Sequence, residues 1–245
     1  MARADETGMG GGSQTMPVTH WTQVLSAGNP ASPLQREALD RLVESYWRPV
    51  YVYIRRAWRR DVEEAKDLTQ AFFARLLEKE TFARADPARG SFRAYLKTAL
   101  KHFLVNARES AERRNPPGGL LRLDPSRQEL ESLALAESAE SPEESYDRRW
   151  FLDVLDAGAK DLKESLCGAG KRDYFEVFRI LVLEADRDVP SYQGVADRLG
   201  LRESDVRNYL HHCRGAYREI LRRRIREFVE TDADVDQEIA VLLRL

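Results

Sequence analysis

The chain has 245 residues, with 39 Lys and Arg against 41 Asp and Glu and a formal net charge of -2. This balance and the 42% of hydrophobic residues are typical of a soluble globular protein with one or two domains and exclude wholesale disorder. No uninterrupted apolar stretch approaches the ~20 residues of a membrane helix, and the first residues lack the hydrophobic segment of a signal peptide. We therefore expect a cytoplasmic protein with no membrane partner, whose Cys167 and Cys213 are reduced thiols.

The near-zero net charge conceals basic and acidic islands along the chain. Residues 93–114 carry six Lys and Arg against two acids, and residues 191–226 carry nine Arg against four acids. Residues 124–149 and the tail from 227 onward each sum to -5. This alternation fits two separate contacts with a polyanion, and solvated helix surface is the plainer alternative for either basic island.

Apolar residues recur at helical intervals through both halves of the chain, and no segment shows convincing strand alternation. Ser91 is placed to cap a helix that runs from Phe92 to about Arg114. The sequence predicts an all-α fold with two small helical domains joined by a flexible acidic linker. The boundaries follow in chain order: leader 1–33, first domain 34–115, linker 116–149, second domain 150–228 and acidic tail 229–245.

Residues 191–210 have the layout of a helix-turn-helix. Ala196 lets two helices approach and Gly200 supplies the turn. The second helix has an apolar stripe and, on an adjoining face, basic residues at steps of three and four. Its first turns would enter the major groove, and a plain helical hairpin is the alternative. The candidates for base edges or phosphate are Glu203, Ser204, Arg207, Asn208, His211, Arg214 and Arg218.

Two segments of the first domain carry possible binding residues. In residues 63–77, polar Glu63, Asp67 and Gln70 lie on a different helix face from the apolar positions. In residues 90–108, aromatic residues alternate with Arg and Lys, as expected for contacts with unstacked single-stranded nucleic acid. Core packing is the expected fate of Phe92 and Phe103.

The order of these motifs resembles a bacterial RNA polymerase sigma factor of the extracytoplasmic-function (ECF) type. The resemblance covers about Trp21 to Leu245 and rests on Asp-Leu-Thr-Gln-Ala-Phe-Phe at 67–73, Ser-Phe-Arg-Ala-Tyr-Leu at 91–96, an acidic linker, and the helix-turn-helix. Within the ECF family, the chain is similar to a branch that has a tryptophan in the N-terminal lead and an acidic C-terminal tail.

The resemblance implies a role for each segment and names core RNA polymerase and promoter DNA as partners. An anti-sigma factor or another regulator is a further possible partner. The resemblance implies no cofactor and no enzymatic activity. The polymerase would be bound by Glu63, Asp67, Gln70 and Phe73. The minus-thirty-five element would be read by the helix-turn-helix. The minus-ten element would be bound and melted by Arg93, Tyr95, Lys97, Lys101, His102, Asn106, Arg108, Arg113 and Arg114.

Three other interpretations stay open from the sequence. A transcriptional regulator could use the same helix-turn-helix without polymerase docking, as a dimer on duplex DNA. A scaffold is possible because Ala71 stands where the family often has an acidic residue. A nucleic-acid enzyme has least support, since the four histidines show no metal-ligand spacing and no glycine-rich phosphate loop is present. We also hypothesise that the acidic tail packs on the basic face of the last module and inhibits it.

Overall fold

A computed structural model of the chain describes residues 33, 35–78, 91–111, 125–134, 140–184, 190–226, 229 and 232–242. All regular elements in these ranges are helical, so the predicted all-α fold class is confirmed. No helix among them is long and apolar enough to cross a membrane. The predicted leader lies, apart from Pro33, outside the described residues.

Nine α-helices are described. In chain order they are α1 (Gln35–Trp58), α2 (Val62–Glu78), α3 (Phe92–Ala111), α4 (Arg127–Ala134), α5 (Pro142–Gly168), α6 (Arg172–Phe178), α7 (Tyr192–Leu199), α8 (Glu203–Arg226) and α9 (Asp232–Leu242). A π-helical turn, Arg179–Leu183, continues α6.

The first hydrophobic core is built on α1, α2 and α3, which we call the N-terminal module. Leu42, Ile54, Phe72 and Leu100 are among its buried side chains. Apolar residues recur every three or four positions along each of these helices, so that one face of each helix points into the core. This core also takes in side chains from α4, α5 and the segment after α8, far along the chain.

The second core joins the C-terminal half of α5 to α6, α7 and α8, which together form the C-terminal module. Leu162, Phe178, Val195 and Leu210 are buried in it. Helix α5 is therefore shared: its first half packs into the first core and its second half into the second. Gly158, between the two halves, lies so close to α8 that an added Cβ would be 2.7 Å from Leu221 Cδ2.

The segment predicted as a flexible linker differs from that expectation. Of residues 116–149, the described part holds α4 and the first turns of α5. Ser141 and Glu144 form a capping box at the start of α5, with Pro142 in the first turn. Ser141 and Pro142 lie within the predicted linker, although a Ser-Pro-Glu-Glu run is also typical of a helix start. The helix thus begins eight residues before the predicted domain boundary.

Candidate nucleic-acid interface

Helix α8 places a polar and basic face in solvent. The side chains of Ser204, Asn208, His211 and Arg214 are exposed, as are those of Arg207 and Arg218, and Glu203 is half-buried. The opposite face of α8 is buried through Val206, Leu210, Cys213 and Ile220. The residues predicted from the sequence to contact duplex DNA therefore share one accessible side of a single helix.

Local contacts fix how α8 follows α7. Ser191 caps α7 through a 3.0 Å hydrogen bond from the Gly194 amide. Gly200 ends α7 with a φ of 66°, and the Leu201 amide donates to the Ala196 carbonyl at 2.9 Å. This left-handed conformation favours glycine. The backbone amide of Arg202 donates to the Asp205 carboxylate at 3.3 Å, so a carboxylate one turn into α8 helps to close its first turn.

Arg207 is held at the start of this face by two neighbours. Its Nη2 donates to Glu203 Oε1 at 2.7 Å, and its guanidinium lies 5.9 Å from the centroid of the Tyr192 ring on α7. Both partners leave the side chain largely exposed. An oriented arginine in the first turns of such a helix suits bidentate contact with a guanine edge or a phosphate.

Side chains of α8 anchor this helix to α5. The Tyr217 hydroxyl donates to the Leu155 carbonyl at 2.9 Å, and Arg224 makes a two-pronged contact with Asp161 at 2.7 and 2.8 Å. Burial raises the pKa of the Cys213 thiol to about 11, so this cysteine packs as a neutral side chain. These contacts fix the orientation of the exposed face of α8 relative to α5.

On α2, the predicted polymerase-binding residues divide into two groups. Glu63 and Asp67 are exposed and Gln70 is half-buried, and their spacing of four and three places them on one side of the helix. Phe73 is only 2% exposed and packs edge-on against Phe72 in the first core. Its side chain therefore offers no surface to a partner in this arrangement, because the apolar stripe of α2 is wide enough to include both phenylalanines.

Three of the basic residues of α3 that were predicted to contact the minus-ten element are paired with acids in the structure. Arg93, Lys97 and Lys101 follow at steps of four, and we call these three the basic row. Arg93 is only 5% exposed. Each member of the row contacts a carboxylate from elsewhere in the chain. These three acids, Glu143 and Asp147 of α5 and Glu238 of α9, are called here the acidic clamp.

Arg93 has the most extensive of these contacts. Its Nε and Nη2 donate to the two oxygens of Glu238 at 3.0 and 2.7 Å, and its Nη1 donates to Asp147. The guanidinium also lies 5.3 Å from the centroid of the Trp150 ring. Burial opposes the charged form of Arg93, but the hydrogen bonds and charge of Glu238 outweigh it, so the pKa of Arg93 is raised. Arg93 therefore stays charged inside the fold.

The other two members of the row pair with acids of α5, although Lys97 is half-buried and Lys101 remains exposed. Lys97 Nζ lies 2.7 Å from Asp147 Oδ2, and Lys101 Nζ lies 2.6 Å from Glu143 Oε1. The hydrogen bond from Lys101 lowers the pKa of Glu143, which keeps that carboxylate charged at neutral pH. Helix α5 thus pairs acids at a spacing of four with lysines at a spacing of four.

The far end of α3 is open. His102, Val105 and Asn106 are exposed on one side, and the Val105 side chain has 59% of its surface accessible. Tyr95 is half-buried and stacks on Phe92 with ring centroids 6.0 Å apart. The side chain of Arg108, together with Arg113 and Arg114, lies outside the described residues. The predicted minus-ten residues are therefore split between a covered and an accessible part of α3.

The tail helix α9 contacts both modules. Besides the contact between Glu238 and Arg93, Asp236 lies 2.5 Å from Arg222 and Asp232 lies 3.3 Å from Arg226. Arg222 and Arg226 are in the last turns of α8. The tail was expected to pack on the basic face of the last module. It contacts only the end of that face, at Arg222 and Arg226, and leaves Arg207, Arg214 and Arg218 exposed. Its contact with α3 was not predicted.

Val105, Glu143, Asp147 and Glu238 are not among the residues predicted from the sequence. In the sequence, Val105 is one apolar residue among many in an apolar helix. One feature of the sequence points to the acidic clamp: Glu143 and Asp147 are four residues apart, and so are the two lysines that they contact. Matching the charge spacing of different helices could have suggested the pairing, but Glu238 follows Arg93 by 145 residues with no local pattern to connect them.

Comparison with known protein families matches residues 42–114 to the family described as Sigma-70 region 2. The matched segment takes in most of α1, all of α2 and all of α3. The match covers 73 of the 245 residues and assigns a Sigma-70 region 2 to this part of the chain. No curated protein and no solved structure shows significant similarity to the chain.

Proposed function

We propose that the chain is an RNA polymerase sigma factor of the ECF type, which binds core polymerase and directs initiation at promoters with a minus-ten and a minus-thirty-five element. The observation that carries the proposal is the coincidence of the Sigma-70 region 2 match with the N-terminal module. In this proposal the protein works in the cytoplasm, where its polymerase is, and catalyses no covalent reaction itself.

The exposed residues of α2 would form the polymerase-binding surface. Glu63 and Asp67 are accessible and acidic, and they lie on a helix whose other face is firmly buried. Acidic side chains on a rigid helix suit a basic or amide-rich surface of a large partner. Phe73 is left out of this surface because it is buried.

The two DNA contacts would be made by α3 and α8. The exposed end of α3 presents His102, Val105 and Asn106, a combination of planar, apolar and amide groups that suits unstacked bases. The α7–α8 pair would act as a helix-turn-helix in the major groove of the minus-thirty-five element. The exposed residues of α8 support this role.

The first experiment is co-purification with bacterial core RNA polymerase. The variant Asp67→Ala plus Gln70→Ala is expected to bind the core about tenfold more weakly than wild type, a loss of about 1.4 kcal/mol. Asp40→Ala plus Gln128→Ala removes the same two residue types from exposed positions on α1 and α4 and should bind as wild type does. Transcription from a promoter library should then start at a defined two-part motif.

Two results of this experiment would contradict the proposal. If the wild-type chain does not bind its own core polymerase but binds duplex DNA tightly by itself, the chain is a helix-turn-helix regulator and the proposal is wrong. Equal weakening by both double variants would show that the surface lies elsewhere.

A separate prediction concerns promoter preference. Arg207→Ala is expected to weaken use of the minus-thirty-five element by about 1 to 3 kcal/mol and to relax the preference at one base pair. Arg218→Ala, three turns further along α8, should weaken binding evenly across sequences and reduce its salt dependence. The measurement is transcription by the reconstituted holoenzyme from promoters randomised at that element. An unchanged base preference in Arg207→Ala would remove this residue from base readout.

A further inference from the structure

The tail helix limits how far apart α3 and α8 can lie in the proposed sigma factor. Promoter elements about 25 base pairs apart are separated by roughly 85 Å of DNA. In this structure, however, α9 contacts α3 through Glu238 and α8 through Asp232 and Asp236. An eleven-residue helix is only about 16 Å long. The two DNA-contacting helices are therefore held together, at a separation that cannot match both elements.

Glu238 also occupies the atoms through which Arg93 would bind DNA. A phosphate takes two parallel N–H donors of a guanidinium, and Glu238 already accepts from Nε and Nη2. The third contact, with Asp147, uses Nη1. Arg93 thus cannot bind a phosphate while α9 is in place, and the first turn of α3 is covered by an acidic helix that would repel a DNA strand.

Apart from the buried pair of Glu238 with Arg93, α9 is held by few buried contacts. It contributes Val235, which is 1% exposed, and half-buried Ile239 to the first core, while Asp232 and Asp236 remain exposed. Its pairs with Arg222 and Arg226 are solvent-accessible, and such pairs contribute little and are screened by salt. Helix α5 instead buries Tyr146, Trp150 and Val154 in the same core.

We propose that α9 is an autoinhibitory helix that bridges the two modules, covers the first turn of the minus-ten helix, and must leave Arg93 before the chain can bind both promoter elements. This rests on the proposed sigma-factor function for its meaning in transcription. Release begins at α9 because an eleven-residue helix is only marginally stable without its docking contacts. Separation of α5 from α1 follows when core polymerase spreads the modules.

The test is a full-length variant, Glu238→Gln plus Asp236→Asn, which removes two of the four acidic charges of α9, those that contact Arg93 and Arg222, and keeps the shape of both side chains. Asp161→Asn is the matched control, because Asp161 pairs with Arg224 inside the C-terminal module and does not touch α3 or α9. Three quantities are compared: amide hydrogen exchange of α9 and the first turn of α3, affinity of the free chain for a fluorescent single-stranded DNA of about 12 nucleotides, and transcription with core polymerase.

The α9 variant is expected to exchange its α9 amides faster and to bind the single-stranded DNA about fivefold more tightly or better, with a matching rise in transcription. Asp161→Asn should show neither change. Faster exchange without tighter DNA binding would overturn the proposal and leave α9 a structural helix, as would unchanged exchange. If DNA binding rises but neither protein directs transcription, the autoinhibitory contact stands and the sigma-factor proposal falls.

Discussion

Replacing Trp150 with alanine is expected to destabilise the folded chain by about 3 to 5 kcal/mol. The Trp150 side chain is 1% exposed and belongs to the first core, although it sits on α5, which also builds the second core. Its removal would leave a cavity beside Tyr46 and withdraw the ring that faces the Arg93 guanidinium. The loss should appear in urea unfolding followed by circular dichroism.

A control for this prediction lies two residues further along α5. Leu152 is 39% exposed, and its replacement by alanine should cost well under ~1 kcal/mol because little packing is lost. Similar small losses for both variants would mean that α5 does not pack against the N-terminal module in solution. The two modules would then not be joined through α5.

The second large effect is expected for Arg93→Met, which keeps an apolar side chain and removes the charge. Truncating one partner of a buried ion pair typically costs 3 to 5 kcal/mol, because the other charge is left without a partner, and we expect about 3 kcal/mol here. We expect a cost at the lower end of this range for two reasons. Asp147 keeps its contact with Lys97, and Glu238 can become solvated if the tail helix moves away.

A double-mutant cycle checks this explanation. Combining Arg93→Met with Glu238→Leu should recover much of the lost stability, since apolar side chains of similar volume often replace a buried pair at no cost. Arg207→Met removes an exposed pair with Glu203 and should change stability by no more than about 0.5 kcal/mol. Strict additivity of the Arg93 and Glu238 changes would show that their contact has no energetic role.

The sequence predicted those parts of the fold that depend on short-range pattern. Helical spacing identified α1, α2, α3 and α8, and the predicted Ser91 cap is present, with a hydrogen bond of 3.4 Å from the Ala94 amide. The exposed basic face of α8 also follows from periodicity, because buried and exposed positions alternate regularly along an isolated amphipathic helix.

The parts that were missed depend on long-range packing. Arg93 has the spacing of a solvated basic residue, and only the arrival of α5 and α9 buries it. Trp150 was assigned to the second domain because it follows the acidic segment, whereas its ring is in the first core. Local periodicity shows which face of a helix is apolar but not which distant helix will cover it.

The contact between Arg93 and Glu238 also has a consequence for synthesis of the chain. Glu238 follows Arg93 by 145 residues, and at about 5 to 20 residues per second it emerges roughly 7 to 30 s later. The N-terminal module has most of its own core residues by then and can fold before α9 reaches Arg93. Each newly made molecule thus passes through a brief period on the ribosome in which its basic row has not yet met the tail that will close over Arg93.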